Sequence, residues 1–550
     1  MSRVSRLPLL TLVLCLGLAA PGSAQTVGSP NVVTADPPVP RPATTPCAVQ
    51  LYSGFTFADF SPKPFTYTPP AACPGPWAKV VLEADFAVTT GRQFDRTAQI
   101  AVGHVNIYYG TTQEPSATVS PSWHVERDLT DYSALFRTPQ SGEVNLGNLV
   151  NSTFTGILSG SARLLLYPGP APRTADVVLP LSSAPGGAAL LANSSSVLAP
   201  SLSLPTNIEA AYLDVVSQSQ SSDEFWFTCV PDDVSDLLFS CPGTSFRETQ
   251  VTIDGQPAGV APVYPWLFTG AVDPLAWRPI VGVQTLNFVP YRVDLTPFAA
   301  LLSDGQPHQV GVSVYNANNY FLVAASLLLH LDAGSTQVTG AVTRNTLAAV
   351  QPAVIREDLA VAADGSVTGT VSTQSERQFI VSGYVDTSHG RVETTVQQKL
   401  RFSNEQEFVI TETQYTQNIA QDTRITSGTK TKRHGAVEHV ESHASWPLDL
   451  DIHLVANPDG SIDQTLTVDQ SYDVHEAGGD PSNRQVSNNM KTTDTLLFAP
   501  SGALTGFRDR RSSQTYAARD TDGYCYHREI TAADGLLTSV EDGQGCGGQQ

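Results

Sequence analysis

The sequence predicts an all-β protein. β-branched and aromatic residues alternate with polar ones in many short runs, such as residues 105–108 and 312–315, and a period of two is typical of half-buried strands. Asp-Gly pairs beginning at Asp254, Asp364 and Asp459 lie between strand-like runs and favour tight hairpin turns. Helical periodicity is nearly absent. We therefore expect antiparallel sheets throughout the chain.

The N-terminus, residues 1–24, has the pattern of a signal peptide. Arg3 and Arg6 precede an apolar run over residues 7–20, and small residues up to Ala24 form a cleavage site. No later stretch reaches the ~18 consecutive apolar residues of a membrane span. We expect a secreted or periplasmic protein after cleavage near Ala24.

The cysteines predict three disulfides. The chain has 7 cysteines, and Cys15 lies inside the predicted signal peptide, where lipid anchoring is the alternative. The rest are an even set in an oxidising compartment, which allows fifteen connectivities. We predict the three local pairs, Cys47 with Cys73, Cys229 with Cys241, and Cys525 with Cys546. None has the C-x-x-C spacing typical of zinc or redox sites.

The charge balance excludes some partners. The chain carries 31 basic and 52 acidic residues, a formal charge of -21 and a pI near 4.8. Because phosphate groups are bound by basic surfaces, we expect neither nucleic acid nor an anionic membrane as a partner.

Length and composition predict several domains. A chain of 550 residues is too long for one ordinary core. Segments rich in Pro, Ser and Ala separate more compact stretches. The predicted organisation is a signal peptide (1–24), a Pro-rich leader (25–44), a first domain (45–168), a linker (169–205), a second domain (206–335) and a C-terminal β-rich domain (336–550).

An internal repeat connects the first two domains. Residues 128–135, DLTDYSAL, are echoed by residues 294–301, DLTPFAAL, and residues 162–167 are echoed by 325–330 at nearly the same offset. For all-β units of this size, an eight-stranded jelly-roll sandwich is the expected solution. The sequence thus predicts two tandem jelly rolls followed by a β-rich domain.

The repeat also aligns an arginine and a carboxylate in each domain. Asp95-Arg96 precedes a strand in the first domain, and Arg247-Glu248 precedes a strand in the second. An adjacent arginine keeps a carboxylate ionised and oriented, which suits a catalytic base or a water-positioning group. An ordinary ion pair at a strand end is the alternative.

Glu224 lies in an aromatic segment, residues 223–227. An apolar wall raises the pKa of a carboxyl group, so Glu224 is predicted to be a general acid. Trp226 and Trp277 are predicted to contact sugar or peptide, because aromatic faces stack on sugar rings. The alternatives are a core strand with solvent-facing carboxylates, and loop aromatics that fill the end of a sandwich.

No metal or cofactor is expected. His439, Glu441 and His443 alternate on one strand face, a pattern that permits a metal site. It is not the helical H-E-x-x-H motif, and the surrounding charges favour a solvated face. The sequence has no G-x-S-x-G motif, P-loop or dinucleotide fingerprint, so serine-hydrolase, nucleotide and nicotinamide chemistry lack support.

Several motifs resemble the type-A peptide N-glycanases, a plant and acid-active bacterial family. The likeness extends over about 45–550 in the same order as in that family. The matching segments are 91–96, Glu114-Pro115, 147–150, 223–226, 246–255, 277–280, 291–298, 381–384 and 400–404.

The resemblance implies a function. Enzymes of this family hydrolyse the amide between an asparagine side chain and the first N-acetylglucosamine of an N-linked glycan, which releases the intact glycan and leaves aspartate. N-glycosylated peptides and glycoproteins are therefore the expected partners. The alternatives are an inactive carbohydrate- or glycoprotein-binding protein on the same fold, and an endoglycosidase, which needs two carboxylates beside a glycosidic bond.

The family is distantly similar to the type-F N-glycanases, and this similarity implies residue roles. Their catalytic Asp-Arg pair falls on Asp95 and Arg96, and Glu224 and Glu248 compete for the role of second catalytic acid. Arg96 and Arg247 are expected to orient carboxylates or stabilise charge. A further type-F glutamate falls near Asn148, which offers no acid and is expected to bind or orient substrate.

Overall fold

The computed structural model describes residues 25–479, 483–543 and 545–546, and the predicted signal peptide, 1–24, lies outside them. Strands dominate the described chain and form antiparallel sheets, which confirms the predicted all-β class. Within these ranges, no helix is both long enough and apolar enough to cross a membrane.

The first unit is a sandwich of two four-stranded sheets. Its strands are β1 (Cys47–Phe57), β2 (Lys63–Tyr67), β3 (Trp77–Val88), β4 (Thr97–Val102), β5 (Val105–Thr111), β6 (Ser122–Asp128), β7 (Gln140–Asn145) and β8 (Leu158–Pro168). One sheet has the order β1-β8-β3-β6 and the other β2-β7-β4-β5. Inward-facing residues from both sheets form its core.

The second unit repeats this arrangement. Its strands are β9 (Val177–Pro180), β10 (Ala188–Leu191), β11 (Ser201–Leu202), β12 (Ile208–Ser219), β13 (Glu248–Ile253), β14 (Gln256–Pro262), β15 (Tyr291–Asp294), β16 (His308–Tyr315) and β17 (Phe321–Leu331). One sheet has the order β10-β17-β12-β15, with β9 also paired to β17, and the other has the order β11-β16-β13-β14.

The predicted linker, 169–205, is therefore wrong as a separate segment. It contains β9, β10 and β11, which pair with β17 and β16 of the second unit. Its Pro, Ala and Ser content suggested a spacer, but short apolar runs within it supply edge strands. The strands of the second unit therefore begin inside this segment.

The structure confirms the internal repeat. Strands β6 and β15 occupy matching positions in their sheets, and each ends at an aspartate. The carboxylates of Asp128 and Asp294 accept the backbone N–H of Thr130 and Thr296, at 3.0 and 2.9 Å. The repeated Asp-Leu-Thr sequence thus encodes the same turn twice, because a short acidic side chain caps the backbone two residues ahead.

The third unit is one 12-stranded antiparallel sheet. Most of it follows the order β18-β20-β21-β22-β23-β25-β26-β27-β28-β29, with β19 paired to β20 and β24 paired to β22 and β25. Its strands are β18 (Thr339–Asn345), β19 (Val354–Val361), β20 (Val367–Thr387), β21 (Gly390–Ile410), β22 (Gln414–Arg433), β23 (Ala436–Ser445), β24 (Leu448–Ala456), β25 (Ile462–Ala477), β26 (Asn483–Phe498), β27 (Leu504–Asp520), β28 (Cys525–Ala533) and β29 (Leu536–Asp542).

Helical structure in the described residues is confined to short segments between strands. The 3-10 segments are Thr130–Arg137, Pro185–Gly187, Ser221–Asp223, Trp226–Thr228 and Thr296–Phe298, and the α-helical turns are α1 (Asp232–Ser235) and α2 (Ala299–Leu302).

The leader holds the three units together. Val33 bridges to Ile280 of the second unit, Ala35 N–H donates to Gln514 Oε1 of the third at 2.7 Å, and Val39 N–H donates to Glu126 of the first, also at 2.7 Å. Residues of the predicted Pro-rich leader thus make specific contacts with all three units.

All three predicted disulfides are present. Cys47 bonds Cys73 in the first unit, Cys229 bonds Cys241 in the segment after Glu224, and Cys525 bonds Cys546 near the C-terminus. Each closes a local loop, with sequence separations of 26, 12 and 21 residues.

Candidate active site

Asp95 lies in the loop between β3 and β4 of the first unit, just before β4 begins. Gln93 fixes this loop, because its Nε2 donates to the carbonyl of Gly156 at 3.2 Å across the β7–β8 loop. On the other side, Arg96 N–H donates to Thr112 Oγ1 at 2.9 Å. The carboxylate is thus presented from a backbone that is held on both sides.

The loop between β14 and β15, residues 263–290 and named the bridging loop here, reaches from the second unit to Asp95. The backbone N–H of Gly270 donates to the Asp95 carboxylate. A Cβ atom at position 270 would lie 2.8 Å from Asp95 Oδ1 and 2.9 Å from Glu114 Oε1. Only glycine leaves room for both carboxylates, so the loop backbone forms one wall of the site.

Glu114 is the second carboxyl group of the site. It follows β5 and is 8% exposed. Its Oε2 lies 3.2 Å from Arg278 Nη2 of the bridging loop, and its carboxylate also accepts the backbone N–H of Asp95. Burial, and next the negative charge of Asp95, raise the pKa of Glu114 to about 7 although Arg278 opposes the shift.

Glu224 is the third carboxyl group, and it comes from the second unit. Burial, and next the negative charge of Asp95, raise its pKa to about 7. The phenol of Tyr320 lies close enough for burial and the Glu224 charge to raise the Tyr320 pKa. Glu224 therefore faces Asp95 across the junction between the two sandwich units.

The charge of Asp95 acts on both glutamates. Burial raises its pKa to about 6, while the Gly270 N–H and the positive charge of Arg96 limit the rise. Three carboxyl groups that resist ionisation share one site, so near neutral pH some carry a proton and others do not. Such a set can supply both a general base and a general acid.

Arg247 holds the segment that carries Glu224. Its Nε and Nη2 lie 3.0 and 2.8 Å from Asp223 Oδ1, and both side chains are fully buried. Asp223 Oδ2 also accepts the backbone N–H groups of Asn318 and Asn319 at 2.7 and 2.6 Å. Arg247 therefore acts on Glu224 through its neighbour Asp223, as an anchor of the loop.

Glu248 is placed elsewhere. Its Oε1 lies 3.0 Å from Arg377 Nη2 of β20, and both side chains are nearly inaccessible. Burial raises the Glu248 pKa, and Arg377 opposes that shift. The structure thus brings Asp95 and Glu224 together and places Glu248 in the interface between the second and third units.

The two predicted sugar-binding tryptophans are buried, and this corrects the expectation. Trp226 is 1% exposed and packs on Phe402 of the third unit at a ring distance of 6.1 Å. Trp277 is 0% exposed, and its Nε1 donates to Ala271 O at 2.8 Å. Their large apolar surfaces fill the core between units, so neither offers a free face to a ligand.

Asn148 is also buried, at 0% exposure. Its Nδ2 donates to the carbonyls of Phe57 and Gly156 at 3.0 and 3.2 Å. The side chain thus braces the β7–β8 loop, on which Gln93 also rests. With no exposed surface, Asn148 braces the loop on which Gln93 rests and presents no face to a ligand.

Two aromatic rings beside Asp95 were not singled out from the sequence. Phe94 is 46% exposed, and its ring lies 4.9 Å from that of Phe154. Arg92 covers the Phe154 ring at 5.3 Å and Arg96 covers the Phe94 ring at 5.8 Å. Rings at the rim suit sugar or peptide contact.

Glu114, Arg278 and Gly270 were also missed as site residues. The sequence comparison included Glu114-Pro115 and the segment around Arg278, but assigned them no role. Glu114 contacts Asp95 within the first unit, whereas Gly270 and Arg278 lie far from Asp95 in sequence and reach the site only through the bridging loop. A repeat between domains cannot reveal a contact that a single non-repeated loop makes.

The structure gives the histidine motif of the third unit no metal-like geometry. His443 Nε2 lies 3.2 Å from Glu441, and the ring lies 6.4 Å from that of His475. Two other clusters within the described ranges have ligand atoms close enough for a cation, Glu83 with His124 and Glu126, and Glu209 with Asp332 and His389. Arginines already pair with Glu83 and Glu126 of the first cluster and with Glu209 of the second.

Two sandwich units meet at a site with three carboxyl groups, of which Glu114 is buried and Asp95 and Glu224 are partly exposed, and such a set can perform acid–base chemistry. The chain matches the profile of the family Peptide N-acetyl-beta-D-glucosaminyl asparaginase amidase A over residues 37–348. This match covers more than half of the chain, and the chain belongs to that family.

The chain is also similar to individual proteins. The chain is 28% identical over 537 residues to Peptide-N4-(N-acetyl-beta-glucosaminyl)asparagine amidase A of Prunus dulcis, covering 92% of each protein. Among solved structures it is similar to PNGase F of Flavobacterium meningosepticum, with 12% identity, a TM-score of 0.36, and coverage of 52% of this chain and 96% of that one. PNGF-II matches with 10% identity, a TM-score of 0.36, and coverage of 52% and 66%.

Proposed function

We propose that the chain is an amidase that hydrolyses the bond between an asparagine side chain and N-acetylglucosamine in N-glycosylated peptides and glycoproteins. The observation that carries the proposal is the trio of Asp95, Glu114 and Glu224, with pKa values raised by burial to about 6, 7 and 7. Membership of the amidase A family supports the same substrate linkage.

Asp95, which has the lowest pKa of the trio, is the general base. It accepts a proton from a water molecule whose oxygen forms a bond to the amide carbon. Glu224, which keeps its proton to higher pH, donates that proton to the amide nitrogen as the carbon–nitrogen bond breaks. The products are aspartate in the peptide and a glycosylamine, which decays to free glycan and ammonia.

Charge on the amide oxygen needs a hydrogen-bond donor in the tetrahedral intermediate. Arg96 Nε is buried and has no hydrogen-bond partner in the described part of the chain. Its guanidinium is held by Gln93 Oε1, which accepts from Nη2 at 3.0 Å. We assign the partly exposed guanidinium of Arg96 to the oxygen, and Glu114 with Arg278 to the electrostatic support of Asp95.

The exposed ring of Phe94 and the half-buried ring of Phe154 form the substrate-facing rim. The first sugar of the glycan lies against this pair when the amide carbon is above Asp95, because sugar faces stack on aromatic rings. This assignment replaces Trp226 and Trp277, whose burial prevents such contact.

Two further features of the chain support export. The three disulfides are stable in an oxidising compartment, and the predicted signal peptide over 1–24 would direct the chain there. Secreted and periplasmic glycoproteins are then the substrates within reach.

Mass spectrometry of a defined N-glycopeptide incubated in H₂¹⁸O tests the proposal. The amidase converts asparagine to aspartate, incorporates one ¹⁸O atom into the peptide and releases the whole glycan. A peptide that retains one N-acetylglucosamine would show an endoglycosidase, and an unchanged glycopeptide that still binds would show a binding protein. We expect EDTA to leave the conversion unchanged, since the proposed acid and base are carboxyl groups.

A further inference from the structure

The bridging loop lies between the candidate site and the third unit. Its residues Val281 and Leu286 pack in the core of the first unit, whereas Ile280 and Val283 pack in the core shared by the second and third units. A loop of 263–290 that forms no strand of its own is thus held from two sides. The side that faces the first unit carries Gly270 and Arg278, which contact Asp95 and Glu114.

Side chains of the third unit form hydrogen bonds with the backbone of the bridging loop. Gln470 of β25 donates from Nε2 to Pro265 O at 2.7 Å and accepts Val283 N–H on Oε1 at 2.9 Å. Thr492 of β26 donates from Oγ1 to Ala276 O at 2.9 Å. Gln470 and Thr492 are 1% and 3% exposed. Buried side chains that satisfy loop carbonyls and amides fix the loop's position rather than merely covering it.

Charged groups of both units also lie at this contact. Asp273, 0% exposed, accepts Leu275 N–H at 2.8 Å and interacts electrostatically with Arg510 of β27. Burial and next the negative charge of Asp273 raise the pKa of Asp494 of β26, also 0% exposed, to about 7, while Arg510 opposes the shift. The charges of Asp273 and Arg510 act in turn on Arg278, the partner of Glu114.

We propose that Gln470 and Thr492 are positioning residues for the active site, so that the third unit sets the geometry of the Asp95–Glu114 pair through the bridging loop. This inference rests on the proposed function and gives the third unit a part in it. Neither residue touches the reacting atoms. Each holds the loop whose Gly270 N–H and Arg278 side chain keep the site's carboxylates in place.

The test compares two double variants that both remove hydrogen bonds between the second and third units. Gln470→Met with Thr492→Val removes those on the bridging loop. Gln398→Met with Thr429→Val is the matched control, because Gln398 Nε2 bonds Tyr291 Oη and Thr429 Oγ1 bonds Asp294 Oδ2, both on β15.

Two measurements are made on each variant. The first is the pH profile of kcat/KM for glycan release, and the second is hydrogen–deuterium exchange of peptides covering 263–290, which does not depend on activity. A displaced loop costs ~10- to 100-fold in kcat/KM. It also moves the acid limb of the profile to higher pH, because loss of Gly270 N–H and Arg278 raises the pKa of Asp95 and Glu114 further.

The loop variant, but not the control, is expected to show the lower kcat/KM, the shifted limb and faster exchange in 263–290. Equal exchange in the two variants, or faster exchange with an unmoved profile, overturns the inference. If wild-type protein releases no glycan, the proposed function fails. The exchange comparison then decides on its own whether the third unit holds the loop.

Discussion

At the scale of single residues, function and stability oppose each other in the candidate site. Glu224 has a carboxyl group whose ionisation is disfavoured by burial and by Asp95, and no neighbouring cation is among the causes of its pKa shift. Its pKa is raised to about 7 from 4.5. The unfolded chain therefore ionises this group more readily than the folded one, and the folded state loses stability as pH rises from about 4.5 through 7.

Glu224→Gln is therefore expected to raise Tm at pH 8 and to leave it nearly unchanged at pH 4.5, where Glu224 is largely protonated in the folded protein. Glycan release at a pH between the pKa values of Asp95, about 6, and Glu224, about 7, should fall by ~100-fold or more, because an amide cannot donate the proton that the leaving nitrogen needs. Differential scanning calorimetry and initial rates measure the two effects. A lower Tm at pH 8 would show that Glu224 stabilises the fold.

The rim residues affect binding and not chemistry. Phe94→Ser removes one ring of the rim pair and leaves Asp95 in place. We expect KM to rise by about 5- to 30-fold, on the order of 1–2 kcal/mol of lost stacking, with kcat within about twofold of wild type. Phe239→Ser is the matched control, since Phe239 is 76% exposed and belongs to the segment after Glu224. A fall in kcat at unchanged KM contradicts this assignment of Phe94.

At the scale of elements, repeat and pattern predicted more than isolated motifs did. Period-two alternation and the Asp-Leu-Thr repeat predicted the strands and the paired sandwiches, because each reflects local geometry that recurs. The short strands β9 to β11 were missed, since edge strands of two to four residues carry too few positions for a period to show. Glu114 and Arg278 were missed because only a loop crossing between units joins them.

The β13 strand shows why an aligned motif does not fix a role. Arg247-Glu248 matches Asp95-Arg96 in position, but β13 faces the third unit where β4 faces the bridging loop. Glu248→Gln is expected to retain wild-type kcat and to lower the free energy of unfolding by ~3–5 kcal/mol, because it leaves Arg377 buried without its charged partner. Chemical denaturation with a parallel rate assay checks both. Loss of kcat with unchanged stability would return Glu248 to the catalytic set.

At the scale of the whole molecule, the three units meet around the candidate site. The first supplies Asp95 and Glu114, the second supplies Glu224 and the bridging loop, and the third packs against that loop. The leader bonds to all three units through residues 33–39. The sequence predicted Asp95 and Glu224 through the repeat, the aromatic segment and the resemblance. It did not predict Glu114 or the bridging loop, and the packing between units depends on shape that no local pattern encodes.

We propose Asp95 as the base of an amidase, and the decisive measurement of this role is kcat of the Asp95→Asn variant on a defined N-glycopeptide. Asparagine keeps the shape and can still accept Gly270 N–H, but it cannot take a proton from water. We expect a loss of ~100-fold or more in kcat, with KM within a few-fold of wild type and Tm not lowered. An Asp95→Asn variant that keeps more than about a tenth of wild-type kcat would contradict this role.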